Sequence, residues 1–447
     1  MRGRRFGFRR KAGEGRQPGL LQVLLLLPGL ALAMPALAQL RIDITQGVED
    51  AVPIAVVPFG GQGEGATTDL SAVIAADLQR SGRFAPLERR DMIPRPTSAD
   101  EVRFEDWRLL KSDFLVIGRV APESGQYAVD YQLFNVATAQ SLLEERLLTN
   151  ERGLRNAAHR IADRIYERLT GVRGAFATRI AYVAVDGDPP EQRYRMVVAD
   201  ADGYGARTIA QSTLPLMSPA WSPDARSLAY VSFEGGTAAV FVQELASGAR
   251  RRVSARAGVN GAPAWSPDGR SLALTLSRDG NLDIYVLDLA TQALTRVTSD
   301  EAIDTEAEWA ADGRTLYFTS DRAGRPQIYR VALDDARRAE RVTFTGNYNA
   351  RPRLSPDGRS LALVTLDRGG YRIGVFDLQN RALRVLTNAR EDESPSFAPN
   401  GATLIYATQD GRRGTLATAS SDGRFQQRLS ADQGDLREPA WSPYPPR

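Results

Sequence analysis

Six copies of one short phrase recur along this chain, and no other feature restricts its fold so tightly. They are Trp221-Ser-Pro-Asp-Ala-Arg-Ser-Leu-Ala229, Trp265-Ser-Pro-Asp-Gly-Arg-Ser-Leu-Ala273, Trp309-Ala-Ala-Asp-Gly-Arg-Thr-Leu316, Leu354-Ser-Pro-Asp-Gly-Arg-Ser-Leu-Ala362, Phe397-Ala-Pro-Asn-Gly-Ala-Thr-Leu404 and Trp441-Ser-Pro-Tyr444, with lead residues 44, 44, 45, 43 and 44 apart. A period near 44 with a turn in every copy predicts a β-propeller, one four-stranded blade per repeat. Ser, Pro, Asp and Gly in that order suit a type I turn: Pro pre-sets its dihedral, Ser and Asp bond nearby amides, and Gly relieves the exit. The apolar runs between turns, such as Ser271–Leu276 and Asp283–Leu289, are near-continuous, as strands covered on both faces require. The lead aromatic is expected to pack between adjacent blades, and the repeated residues to be structural rather than chemical.

The count closes a ring. The sixth copy leaves room for one strand only, while Arg179–Val185, Tyr194–Ala199 and Ala206–Ala210 are strand-like runs that no repeat claims. Three strands from the front and one from the end complete a sixth blade and remove an exposed sheet edge.

The first 38 residues read as an export signal. A basic lead (Arg2 to Arg16) precedes an apolar core from Gly19 to Ala33, broken by Pro28, and Ala36-Leu-Ala38 offers a small-residue cleavage site. The whole chain has 57 basic and 54 acidic groups, but the leader holds seven of the former and one of the latter. The remainder carries 50 against 53, so its basic pI belongs to the leader and the electrostatic case for nucleic-acid binding lapses. There is no Cys, hence no disulfide or thiol chemistry, and one histidine, His159. No G-x-S-x-G elbow occurs, so a Ser-His-Asp triad is unsupported and the chain is not expected to be an enzyme.

Residues 39–170 have a different texture and read as a small α/β domain, with 171–447 as the propeller. Pro53–Phe59, Phe114–Gly118, Tyr127–Phe134 and Ser141–Leu148 read as strands. Asp69–Leu78 and Glu151–Leu169 read as amphipathic helices, the first capped by Thr67 or Thr68. Gly171-Val-Arg-Gly174 is the expected hinge. The Gly-rich run Gly60–Gly65 lacks the Gly-Lys-Ser/Thr of a phosphate loop. His159 is expected at the surface or boundary of its helix. Asp186-Gly-Asp188 and Asp200-Ala-Asp-Gly203 lack the glutamate of a calcium loop and read as hairpin turns.

The loops that enter each lead strand converge on one mouth of the ring. They place Asp304, Glu306, Glu308, Asp392, Glu393 and Glu438 there, with Asn260, Thr305 and Asn349 between them. Such a convergence favours a contact surface. No cofactor is expected; Ca²⁺ or another cation in this acidic channel is the alternative.

These repeats resemble those of the bacterial TolB family, and so do Ile54–Phe59, Ile74–Leu78, Arg168–Val183, Leu216–Asp224, Thr319–Gln327 and Pro439–Pro443. The resemblance covers nearly everything after the leader. It implies a periplasmic, non-catalytic component of the Tol–Pal system, which supports outer-membrane invagination during division. It further implies that the lipoprotein Pal docks on the propeller mouth, at Asn260-Gly261-Ala262-Pro263, Asp304, Thr305, Glu306, Asn349, Glu393 and Glu438. TolA would engage an N-terminal arm, Arg41-Ile42-Asp43-Ile44-Thr45-Gln46-Gly47-Val48, held against the protein or released. The chain alone is expected to be monomeric, without stable membrane insertion. It departs from the family at Val259, where a His is familiar. The rival reading is a periplasmic propeller that binds a small ligand, or acts as an enzyme, through its acidic channel.

Overall fold

Each Ser-Pro-Asp-Gly phrase builds the turn its residues favour. In the second copy the Gly269 amide donates to the Ser266 carbonyl at 2.9 Å, Ser266 Oγ donates to Asp268 Oδ1 at 2.6 Å, and that carboxylate accepts the Arg270 amide at 3.0 Å. The set recurs at Ser222 and Ser355. Gly269 has φ +70°, a region that L side chains rarely adopt, and the first copy holds Ala225 there at 55°.

The computed structural model describes residues 41–46, 51–61, 68–335, 338–430 and 434–446. The expected leader, Gly47, Val48 and most of the Gly-rich run lie outside the described residues. Among the described residues, no helix is long and apolar enough to cross a membrane.

Six antiparallel sheets form a closed ring, five of them four-stranded and the fifth blade carrying one strand more. Their innermost strands are Leu216–Trp221, Asn260–Trp265, Asp304–Trp309, Asn349–Leu354, Glu393–Phe397 and Asp435–Trp441. The ring shuts as the repeat count predicts: Asp435–Trp441 pairs with Arg179–Asp186, and Arg193–Asp200 and Arg207–Ser212 finish that blade. The lead tryptophans lie between blades, and each indole N–H reaches outside its own sheet. Trp221, Trp265 and Trp309 donate to the carbonyls of Ala440, Ala220 and Ala264, at 3.0, 3.1 and 3.1 Å, each in the blade before. Trp441 donates instead to Thr178 Oγ1 at 2.8 Å, at the entry to the closing blade.

The N-terminal part is an α/β layer. β1 (Arg41–Gln46) leaves it, as described below. β2 (Val52–Val56), β3 (Phe84–Pro86), β4 (Phe114–Glu123), β5 (Gln126–Asn135) and β6 (Gln140–Thr149) form a sheet in the order β3-β2-β4-β5-β6, parallel about β2 and antiparallel beyond. α1 (Leu70–Arg80) and α3 (Leu154–Thr170) bury Leu70, Ile74, Leu78, Ala158, Ile161 and Ile165 against one face. Two short elements escaped sequence reading: β3, and α2 (Phe104–Leu109), whose Trp107 covers the other face. They are too short to show a period. The cap of α1 is Asp69, which accepts the Ala72 amide at 3.0 Å, not Thr68; Thr67 lies outside the described residues. α3 ends on Gly171 at φ +77°, a left-handed cap.

A buried polar network joins the layer to the propeller. Here the expectation of a surface His159 fails: the side chain is fully buried, with Nδ1 2.6 Å from Asp77 Oδ2 and Nε2 3.8 Å from Asp202 Oδ2. Asp202 belongs to the 200–203 turn of the closing blade, and docking of that turn buries the helix face that sequence alone leaves open. Arg80 pairs with Asp77 and Arg155 with Asp202. Asp163 accepts the Phe176 amide at 2.7 Å across the hinge. Gly82, at φ +67°, lies so close to Phe425 that a Cβ would sit 2.4 Å from its ring.

Replacing Trp309 with Phe is expected to lower stability by about 1–3 kcal/mol, since the Ala264 carbonyl loses its donor in a buried seam. Ala at that position should cost about 3–5 kcal/mol. Urea unfolding checks both, and an undiminished stability of the Phe variant would show that the indole N–H contributes nothing.

Burial pushes the Asp163 carboxyl up from 3.8 to about 7. Burial opposes protonation of His159, but the Asp77 and Asp202 carboxylates outweigh it and raise its pKa above the ordinary 6.5. In both cases the folded state retains a proton that the unfolded chain releases, so rising pH removes stability. The loss runs from 3.8 to about 7 through Asp163, and from 6.5 upward through His159 until its raised value is passed. Melting curves between about pH 5 and 9 should show this decline, and His159→Gln should flatten its alkaline part. An unchanged slope in that variant would assign the decline to other groups.

Candidate functional site at the propeller mouth

All six inner strands share one irregularity. Register slips between Met217 and Ala220, Gly261 and Ala264, Thr305 and Glu308, Ala350 and Arg353, Glu393 and Ser396, and Arg437 and Ala440. Inside each slip one non-glycine residue takes a positive φ: Ser218 at 54°, Ala262 at 45°, Glu306 at 56°, Arg351 at 55°, Ser394 at 54° and Glu438 at 48°. Five of the six precede a proline, which has no N–H for the ladder and restricts the residue before it. Bulges of this kind end pairing and re-aim side chains. Residues of all six bulges line a narrow cavity in the channel.

Three of these six residues carry charge. Arg351 Nε donates to Glu306 Oε1 at 2.7 Å, its guanidinium bonds Ser394 Oγ, and it lies 3.7 Å from Glu393. Burial alone would lower the Arg351 pKa, but Glu306, Glu438 and Glu393 raise it, so the guanidinium stays charged. Glu438 accepts the Ser218 amide at 2.5 Å across the ring closure, and burial raises its pKa. Thr319 Oγ1 accepts the Arg351 amide at 3.0 Å, and Thr275 Oγ1 the Glu306 amide at 3.2 Å.

The mouth is therefore not the acidic rim that loop positions suggest. Asp304 is fully buried and held by Arg322 through bonds of 2.9 and 2.7 Å. Asp392 is fully buried against Thr408, and Glu308 faces Arg353 at 3.8 Å. Asn260 and Asn349 are buried caps: Asn260 Oδ1 accepts the Arg256 amide at 2.9 Å, and Asn349 Nδ2 donates to the Thr345 carbonyl at 2.8 Å. Ala262, Pro263, Glu306 and Glu438 do line the channel, Gly261 and Thr305 are half-buried beside it, and Glu393 is exposed at its edge. Arg351 escaped sequence reading. Its signal was present, since it occupies in the fourth repeat the position that Glu306 holds in the third.

A wider cavity of about 490 Å³ opens beside the channel toward the fourth, fifth and sixth blades. Its walls are hairpins whose ladders run eight residues, Ser360–Asp367 with Gly370–Asp377 and Thr403–Asp410 with Arg413–Ser420, against six in the first three blades.

The arm residues Arg41–Gln46 form β1, an added fifth strand on the outer edge of the fifth blade. Arg41 pairs with Ser430 and Ile44 with Gln427. Backbone pairing along an otherwise open edge holds this segment.

Away from the mouth, Asp77, His159 and Asp202 bring three ligand-type atoms within 4.8 Å. Arg80 and Arg155 already take the two carboxylates, so the group is a balanced ion-pair network and not a cation site. In the channel, Glu306 is already paired with Arg351 at 2.7 Å.

Residues 40–142 match the TolB amino-terminal domain family, and residues 166–445 match the TolB beta propeller domain family. The "Tol-Pal system protein TolB" of Xanthomonas euvesicatoria pv. vesicatoria (strain 85-10) is 55% identical over 432 residues, covering 95% of this chain and 98% of the relative. The protein so named in Xanthomonas campestris pv. campestris (strain B100) gives the same identity and coverage. The crystal structure of TolB from Acinetobacter baumannii superposes with a TM-score of 0.85 at 41% identity, covering 91% of this chain and all of that one.

If Arg351 balances the mouth carboxylates, Arg351→Gln should lower stability by about 1.5–3 kcal/mol near neutral pH. The deficit should shrink in high salt, and also in acid, as Glu438, whose pKa burial raises, takes up its proton. A deficit that is equal at neutral and acid pH would refute the charge-balancing role.

Proposed function

The chain belongs to the TolB family, and from that premise we propose that it is a periplasmic, non-catalytic adaptor of the Tol–Pal system. It binds the lipoprotein Pal through the propeller mouth and TolA through the arm Arg41–Val48, and so supports outer-membrane invagination and integrity during cell division. The observation that carries this reading is the ring of six bulged strands, Ser218, Ala262, Glu306, Arg351, Ser394 and Glu438, at a mouth of fixed charge. Strained backbone of this kind persists where the surroundings over-determine it, and it clusters at functional sites. The half-buried Gly261, Ala262, Thr305 and Glu306 offer Pal a surface, whereas Asn260, Asp304 and Asn349 shape the loops from within. The arm reading draws on β1, an edge strand that a partner's strand can replace by the same backbone bonds. A non-catalytic role draws on His159, which lies in the domain junction, and on Arg351, which is committed to Glu306.

The cavity of about 490 Å³ is the feature that favours the rival small-ligand reading. Calorimetry of residues 39–447 with Pal of the same organism separates the two. The wild type should bind, and Ala262→Arg with Thr305→Arg should weaken binding at least about tenfold, a loss of roughly 1.4 kcal/mol. A chain lacking residues 39–48 should keep Pal and lose TolA. No heat with folded wild-type partners would remove the adaptor reading and leave the small-ligand one.

A further inference from the structure

The cavity beside the channel has a charge and shape that the docking reading alone does not use. Tyr348 and Tyr371 stand edge to face at one wall, ring centroids 5.2 Å apart, and Tyr371 is 43% exposed. Backbone bonds fix Tyr371 beside an acidic segment: its amide donates to the Arg390 carbonyl at 2.8 Å, and the Asp392 amide donates to its carbonyl at 2.9 Å. Glu391, Asp392 and Glu393 follow directly along that segment, and all three line the cavity.

The ionisable lining is Glu306, Glu391, Asp392, Glu393 and Asp435 against Arg351, Arg412 and Arg437. Two of the three guanidiniums are already matched, Arg351 to Glu306 at 2.7 Å and Arg437 to Asp435 at 2.8 Å, and Arg412 lies exposed in the turn of its hairpin. Among the described residues, Glu391 takes only the neutral amide of Gln409, and Glu393 has only the 3.7 Å approach of Arg351. Asp392 is fully buried at the cavity wall, and its Oδ2 has no hydrogen-bond partner among the described residues. Unmatched carboxylates beside an exposed aromatic pair form the complement of a cation that has an apolar stem.

We propose that this cavity is the subsite for one basic side chain, an arginine or a lysine, presented by the protein docked on the mouth. Glu391 and Glu393 take its charge, and Tyr371 covers its stem. The inference rests on the Pal reading above and adds the chemistry that selects the partner there. A protein side chain suits the place better than a free ligand, because the cavity opens on the face where the inner-strand loops converge.

The test is calorimetric titration of the same organism's Pal into the wild type, a Glu391→Gln, Glu393→Gln double variant and Tyr371→Ala, at low and high salt. The expected result is a loss of at least about tenfold in the double variant at low salt. That loss should narrow at high salt, where screening already weakens the wild type. Single Arg→Gln or Lys→Gln changes across the Pal docking face should then give one residue whose loss is non-additive with the double variant, the mark of a direct contact. All three carboxamide and alanine sites are exposed, so melting curves should match the wild type, and Glu244→Gln, on another cleft, should bind Pal normally. Full affinity of the double variant overturns the subsite and leaves Pal docking standing; so does a loss independent of salt. No wild-type binding removes both.

Discussion

The lead tryptophan of a blade is tied to the blade before it, and much of the structure depends on that tie. A blade cannot bury both faces alone, so the ring is stable only if each sheet is fixed against its neighbours. The indole supplies a large apolar surface for the seam and one directional bond, to the carbonyls of Ala440, Ala220 and Ala264 in three consecutive seams. Where the repeat has Leu354 or Phe397 the indole N–H is missing and the lead side chain contributes apolar packing only. The closing blade uses its own tryptophan differently. Trp441 reaches back to Thr178, so the two ends of the propeller are fastened by a side chain as well as by the ladder to Arg179–Asp186.

A ring held from outside by such seams leaves its inner strands free to be irregular. Each breaks its ladder at the bulge, so six backbone segments with positive φ face the channel together. Sixfold repetition makes the backbone alike, while the side chains there differ: small at Ser218, Ala262 and Ser394, charged at Glu306, Arg351 and Glu438. The mouth thus has a constant frame and variable chemistry. Among these six the guanidinium of Arg351 matters most, because it cancels much of the field of the carboxylates around it.

The junction of the two domains follows another rule. Its polar groups are buried and compensated, His159 between Asp77 and Asp202, Arg80 and Arg155 on the same carboxylates. Removing one partner from such a set leaves a buried charge exposed to low dielectric, which fixes the relative placement of α1, α3 and the 200–203 turn. β1, by contrast, is attached through a backbone ladder to the fifth blade. The two attachments of the N-terminal part to the propeller therefore differ in kind.

Much of this was legible in the residues. The 44-residue period, the turn chemistry and the strand arithmetic determine six blades and their closure, because these are local signals repeated often enough to count. The two long helices, the helix stop at Gly171 and the lead aromatics in the seams are legible for the same reason. The site was legible only as a place. Loop position puts Glu306 and Glu438 at the channel, yet it puts Asp304, Asp392, Asn260 and Asn349 there too, and these prove to be buried. Asn260 and Asn349 turn inward to cap chain four residues before them, whereas Asp304 is held by Arg322, 18 positions on and outside its own loop. The burial of His159 and the matching of Arg351 to Glu306 likewise arise between residues 43 or more positions apart. The sequence by itself determined the architecture, because a repeat carries its own local code; only the tertiary structure decided the charge of the mouth, because ion pairs form between blades and no local pattern records them.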